Sequence, residues 1–157
     1  GIPLGVPACE VLSRRRKVRL DVGSFNSRFF VSKLHVPPSH ITVTYDDKFQ
    51  VSPKYGKMEL VVCNLQPFFW QEKGKQPFVV HPQDRKLEAF LRPMVARTLW
   101  GKEVYESPSV FPFEKMTVKG KKAFVVRADG KESKEVEIAI ALHKGHIQMI
   151  VGQDRQF

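Results

Sequence analysis

The chain has 157 residues, of which 42% are hydrophobic, and this length and composition fit one globular domain with its own core. Its formal net charge of +10 favours polyanionic partners such as nucleic acid, an anionic membrane surface or an acidic protein. The sequence has no apolar run of about 18 residues and only two cysteines, which excludes a membrane span and a disulfide framework.

The composition changes along the chain and predicts three parts. Residues 1–12 are typical of an extended lead-in, 13–151 of a single α+β domain, and 152–157 of a polar tail. An irregular, aromatic-rich insertion is expected near 64–82, where prolines and glycines interrupt the pattern. The unpaired cysteines favour an intracellular location, cytoplasmic or nuclear, and no membrane partner is expected.

Most of the chain has the alternating hydrophobicity of β-strands. Strands are predicted in chain order at 17–22, 29–34, 41–51, 58–63, 117–118, 123–128, 135–142 and 147–151. The pattern predicts a bulge at Asp46-Asp47 in the third of them and turns at Asp129-Gly130 and Lys144-Gly145. Pro37-Pro38 is expected to end the second strand, because proline has no N–H to donate.

One stretch has helical periodicity instead. Leu87, Phe90, Leu91 and Met94 recur at the spacing of one helix face, and Gly101 follows where a helix C-terminus favours glycine. The sequence therefore predicts an α+β fold, with a largely antiparallel sheet covered by one main helix at about 83–100.

Motifs for catalysis are absent from the sequence. It contains no G-x-S-x-G, no Walker A loop and no G-x-G-x-x-G. His143 and His146 could approach each other across a turn, but zinc needs three or four ligands. We therefore expect no catalytic residue, no metal and no cofactor. An enzyme is the alternative, and it would need a convergent polar pocket that the sequence does not reveal.

Cationic residues and one aromatic run are the candidate binding features. The predicted phosphate contacts are Arg14, Arg15, Arg16, Lys17, Arg85, Lys86, Lys121 and Lys122. The loop at 66–75 carries the run Phe68-Phe69-Trp70, which suits a protein partner if it is exposed. The alternative is that this run forms a hydrophobic plug under the loop.

The order of these pieces resembles the N-terminal domain of Argonaute and Piwi proteins. The similarity lies in KVRLDVGSFNSRFFVSKL followed by ITVTYDDKFQVSP. The matching positions are Val18, Leu20, Asn26, Phe29, Ile41, Tyr45, Val51 and Pro53. The resemblance implies a non-catalytic module of small-RNA silencing that contacts the backbone of a guide–target RNA duplex and helps to separate its strands. A protein-interaction or scaffold domain that uses the aromatic loop is the alternative.

Overall fold

The computed structural model describes residues 4–54, 56–65 and 80–151. Within these ranges the chain forms one helix and eleven strands. The helix is α1 (Val6–Ser13), and the strands are β1 (Lys17–Phe25), β2 (Arg28–Phe30), β3 (Lys33–Ser39), β4 (Ile41–Tyr45), β5 (Phe49–Val51), β6 (Met58–Cys63), β7 (Leu87–Arg97), β8 (Glu103–Tyr105), β9 (Ser109–Phe113), β10 (Lys115–Ala128) and β11 (Lys131–Ile150).

All described strand pairs are antiparallel. The strands follow the order β2-β1-β11-β10-β3-β6-β7-β8, while β4 pairs with β10 and β5, and β9 pairs with β7. The 20-residue strand β11 joins two parts of the sheet, because its first half pairs with β10 and its second half with β1.

The core lies on the inner face of this sheet. Alternation along the strands directs one set of apolar side chains inward, as Leu34 and Val36 on β3 and Leu60 and Val62 on β6 illustrate, each fully buried. Strands β4 and β9, which branch from β10 and β7, approach each other through the Tyr45 ring, which lies 6.0 Å from Phe111 and 6.1 Å from Phe113 between ring centroids. These contacts close the core on that side.

The predicted α+β fold with a main helix over 83–100 is wrong, because this stretch forms strand β7 and the described residues contain only the short helix α1 beside the antiparallel sheet. The first five residues of β7 are all buried, so both faces of the strand contact apolar surroundings. Leu87, Ala89 and Leu91 belong to the main core, and Phe90 belongs to a second cluster. A strand buried on both faces has a nearly continuous apolar sequence, which resembles a buried helix in periodicity.

Turn residues flank β7, and Gly101, which suggested a helix C-terminus, is one of them. The Lys86 N–H donates to the Asp84 side chain at 3.0 Å, which makes a local turn before β7. Gly101 has φ of 78° in the turn between β7 and β8, where a left-handed residue is needed. Pro93 lies in β7 opposite Met58.

Other boundaries also differ from the prediction. The lead-in expected to be extended contains helix α1, and Pro37-Pro38 lies inside β3. The strand predicted at 41–51 is a hairpin, because Asp46 and Asp47 both have positive φ. Lys144-Gly145 is no hairpin turn but an irregularity within β11.

The insertion predicted near 64–82 lies mostly outside the described residues, and so does the tail at 152–157. Within the described ranges, a helix with the length and apolar character of a membrane span is absent.

Candidate functional site

An apolar cavity of about 290 Å³ lies between the β4–β5 hairpin and strands β7 and β9. All of its lining side chains are aliphatic or aromatic: Val43, Tyr45, Phe49, Val51, Leu91 and Phe111. Phe49 is 65% exposed, so its ring borders both the cavity and the solvent. The volume is close to the lower end of the range of roughly 300–1,000 Å³ for small-molecule pockets.

A polar cleft of about 570 Å³ shares Tyr45 with this apolar cavity. Its charged lining consists of three lysines and three carboxylates: Lys48, Lys86, Lys115, Asp46, Asp47 and Glu114. Lys144 also reaches this group, since its Nζ lies 2.9 Å from Glu114 Oε1. Four ammonium groups therefore accompany three carboxylates.

Asp46 fixes the shape of the polar cleft. Its Oδ1 accepts the Lys115 N–H at 3.0 Å, and its own N–H donates to the Lys115 carbonyl at 3.0 Å. These bonds fasten the β4–β5 turn to the start of β10. The Asp46 carboxylate is thus committed to the backbone, which supports a structural role.

Tyr45 stands between the apolar cavity and the polar cleft. Burial, and then the charge of the adjacent Asp46, raise the pKa of its hydroxyl. The raised pKa keeps the Tyr45 hydroxyl, already neutral at physiological pH, protonated to still higher pH. The residue lines both spaces, and its hydroxyl can donate a hydrogen bond. Together, cavity and cleft suit a ligand with one apolar and one polar end.

The predicted cationic residues lie on different parts of the sheet. Lys17 pairs with Ile150 at one end of β11, whereas Lys119, just before Lys121 and Lys122, pairs with Glu137, 13 residues away along β11. Arg14, Arg15 and Arg16 precede Lys17 and lie at the same end.

Of the predicted phosphate contacts, Lys86 lines the polar cleft. Lys121 instead lies at the irregularity of β10, where its N–H donates to the His40 carbonyl at 3.2 Å. The Arg85 N–H donates to Asp21 Oδ2 at 2.9 Å.

That Asp21 carboxylate is buried and joins distant segments. Besides Arg85, it accepts the Gly145 N–H at 2.7 Å, so it ties the turn before β7 to the irregularity in β11. Gly145 has φ of 58° there, a conformation that glycine adopts without strain. The Arg85 backbone thus has a structural role that its charge did not suggest.

The two histidines singled out from the sequence do approach each other. The ring centroids of His143 and His146 are 5.7 Å apart, and Phe29 stacks on His146 at 4.9 Å. His143 Nε2 lies 2.8 Å from the Ser24 hydroxyl oxygen. Across residues 4–54, 56–65 and 80–151, no three His, Cys, Asp or Glu side chains are grouped as a metal site would need.

Phe68, Phe69 and Trp70, the predicted protein contact, lie outside the described residues. The apolar cavity was not predicted from the sequence, although alternation along 41–51 would place Val43, Tyr45, Phe49 and Val51 on one face of a strand. No local sequence pattern linked Phe111 to these residues, because its contact with Tyr45 depends on the long-range pairing of β9 with β7.

Comparison with solved structures shows the fold. The chain is similar to a diacylglycerol kinase from Bacillus anthracis str. Sterne, with a TM-score of 0.69 and 15% identity over 97% of this chain and 61% of the kinase. A protein provisionally named a diacylglycerol kinase from the same organism matches with a TM-score of 0.69 and 14% identity, over 96% of this chain and 63% of that protein. The chain thus spans less than two thirds of these proteins. No family model and no curated protein matches the sequence.

This similarity overturns the resemblance drawn from the sequence. The chain does not have the fold of an Argonaute N-terminal domain, and the function in RNA silencing that the resemblance implied is wrong with it. The expectation of a non-catalytic module is corrected too, since the solved structures that share this fold are named as kinases. The motifs of the resemblance were short strand patterns, and such patterns recur in unrelated sheets.

Proposed function

We propose that this chain is the lipid-acceptor module of a lipid kinase of the diacylglycerol kinase type. The observation that carries the proposal is the apolar cavity beside a polar cleft lined by lysines and carboxylates, in a fold similar to that of a diacylglycerol kinase. A diacylglycerol has apolar acyl chains and a single free hydroxyl, so it needs an apolar and a polar compartment side by side.

The apolar cavity suits part of an acyl chain. Its walls offer aliphatic and aromatic carbon atoms, and burying an apolar chain there gains about 25 cal/mol for each Å² removed from water. The half-exposed Phe49 ring borders the entrance, where it can cover a chain that has entered. The glycerol end of the lipid then lies toward Tyr45 and the polar cleft.

The polar cleft suits a phosphate group. In the proposed reaction the lipid hydroxyl oxygen forms a bond to the terminal phosphorus of a nucleoside triphosphate. The bond from that phosphorus to the bridging oxygen breaks, the nucleoside diphosphate leaves, and the hydroxyl proton passes to a base. Lys86, Lys48 and Lys115 would attract the phosphate of the product lipid.

The nucleotide and its metal ion are assigned to no residue of this chain. The kinases with this fold are longer than the present chain, which covers 61% of one and 63% of another. The proposal therefore concerns the acceptor lipid. It includes an intracellular location, where nucleoside triphosphates are present.

The test is binding of a short-chain fluorescent diacylglycerol, used below the concentration at which it forms aggregates. Phe49→Asp places a charge at the cavity and should weaken binding about tenfold or more. The matched control is Val136→Asp on β11, where the side chain is 57% exposed and far in sequence from the cavity. Lack of binding by a chain with a folded circular dichroism spectrum would refute the proposal.

A second measurement addresses the polar cleft. Lys86→Gln should weaken binding of the short-chain phosphatidic acid analogue about fivefold, because one ammonium–phosphate contact is lost, and should leave diacylglycerol binding unchanged. Lys131→Gln, at the exposed β10–β11 turn, removes the same charge elsewhere and serves as the control. Equal losses in both variants would mean that only net charge matters.

A further inference from the structure

The turn between β7 and β8 exposes two large apolar side chains. Leu99 is fully exposed and Trp100 is 96% exposed, while the other Trp of the chain lies outside the described residues. Scattered exposed apolar residues are common, but a leucine and a tryptophan adjacent at the tip of one hairpin form a protruding apolar point.

This tip is held in one shape by its own hydrogen bonds. The Thr98 N–H donates to the Lys102 carbonyl at 2.8 Å, and the Gly101 N–H donates to the Thr98 carbonyl at 2.9 Å. The Lys102 N–H donates to the Thr98 hydroxyl at 3.0 Å. These bonds close the turn and place the backbone of Leu99 and Trp100 at its tip.

Polar contacts brace the base of the same hairpin. Lys57 Nζ lies 2.6 Å from Glu103 Oε1, and the Tyr105 hydroxyl donates to Glu103 Oε2 at 2.5 Å. The Arg92 guanidinium lies over the Tyr105 ring at 5.1 Å. The hairpin is therefore held by polar contacts at its base and is apolar at its tip.

The charge next to the tip is positive. Arg97 precedes it, with its Nε donating to the Gly101 carbonyl at 3.1 Å, and Lys102 follows it. Both residues are exposed. Of the next two carboxylates along the chain, Glu103 is paired with Lys57. Glu106 is exposed and lies at the base, away from the tip, where its N–H donates to the Pro93 carbonyl. Two cations thus flank two apolar side chains.

We propose that the β7–β8 hairpin docks this chain on an anionic lipid bilayer. Leu99 and Trp100 enter the interfacial region, where tryptophan is favoured, and Arg97 and Lys102 contact lipid phosphates. The net charge of +10 favours the same surface. The sequence predicts no membrane partner because it has no span, but a peripheral contact of this kind requires none.

The docking surface agrees with the proposed lipid kinase function but does not depend on it. The tip directly follows β7, the strand that also lines the apolar cavity through Leu91. A bilayer bound at the tip would present lipid to the same molecule. Binding to vesicles and binding of a dispersed lipid are separate measurements, so either proposal can fail alone.

The experiment uses the full chain with Trp70→Phe, which leaves Trp100 as its one indole. Vesicles of phosphatidylcholine with and without phosphatidylserine, and without diacylglycerol, are added. Insertion predicts a blue shift of the Trp100 emission and quenching by brominated acyl chains with the anionic vesicles. Emission that stays at the wavelength of exposed tryptophan when vesicles sediment with the protein would overturn the proposal.

Vesicle sedimentation then assigns the binding to the tip. Leu99→Ser/Trp100→Ser should lower the partition coefficient about tenfold or more, and Lys102→Gln about fivefold on anionic vesicles. The controls are Val136→Ser and Lys131→Gln, which remove an exposed apolar side chain and an exposed charge elsewhere. Equal partition of tip and control variants would overturn the proposal. So would a blue shift that rises with protein concentration in the absence of lipid, which would indicate a second copy as the partner.

Discussion

The two ends of the β6–β7 ladder place the same type of residue in opposite surroundings. At one end Cys63 pairs with Glu88, which is 6% exposed, and burial, followed by the charge of Asp84, raises the pKa of Glu88 to about 7. At the other end Glu59 pairs with Arg92, and a hydrogen bond from His35, followed by one from Arg92, lowers the pKa of Glu59.

The difference shows that one strand can serve two purposes. The buried end of β7 carries Leu87 and Ala89 into the main core, and burial also raises the pKa of the neighbouring Cys63 thiol to about 12. The open end carries charged partners and leads to the exposed tip at Leu99. Stability is therefore concentrated at the buried end, which leaves the open end available for surface contacts.

Leu87→Ala should have the largest effect, because Leu87 is fully buried in the main core. Loss of its side chain leaves a cavity and should lower the free energy of unfolding by about 2–5 kcal/mol. Leu99→Ala, from the same hairpin, is the control and should change it by less than about 0.5 kcal/mol. Urea denaturation of both variants measures the difference. Similar losses would mean that the tip is packed rather than exposed.

Glu88→Gln should change how stability depends on pH. Between its ordinary pKa of 4.5 and its folded value of about 7, the folded state keeps a proton that the unfolded state has released. The free energy of unfolding therefore falls as pH rises through this window, and Gln should remove roughly 2 kcal/mol of that fall. Urea denaturation of the wild type and the variant at pH 5 and pH 8 measures this difference. An equal change of the free energy of unfolding with pH in both proteins would contradict the raised pKa of Glu88.

Glu59→Gln should change the free energy of unfolding with the opposite dependence on pH and by a smaller amount. Because the folded pKa of Glu59 lies below its ordinary value, its contribution is present above pH 4.5 and is lost as pH falls through the folded pKa. The variant should lose about 1 kcal/mol at pH 7 and match the wild type in acid. Glu132→Gln, in an ion pair with Arg127 that is 53% exposed on each side, is the control and should cost less.

Several local features could be predicted from the sequence. The strand at Met58–Cys63 is confirmed with its bounds, and so is the turn at Asp129-Gly130, where both residues have positive φ. These features depend on alternation and on turn residues, which act over a few neighbouring positions. The same local information placed Val43 and Tyr45 on one face.

The candidate site could not be predicted in the same way. The apolar cavity requires strands β4 and β5 to meet β7 and β9, and the residues involved are separated by many tens of positions in the sequence. Lys86 was predicted as a phosphate contact from its charge alone, and its place beside Tyr45 depends on this long-range meeting. The charge of a residue follows from the sequence, whereas the approach of distant residues to one site depends on the fold.

Most strand segments, the positive charge and the polar turns can be predicted locally, because each depends on neighbouring residues. The tertiary structure makes 87–97 a strand, since apolar surroundings on both of its faces come from distant segments. It likewise decided that the Asp21 carboxylate joins Arg85 to Gly145 and that Leu99 and Trp100 remain in solvent. Burial and pairing over long sequence distances override local periodicity, because the hydrophobic effect depends on the whole surface that is removed from water.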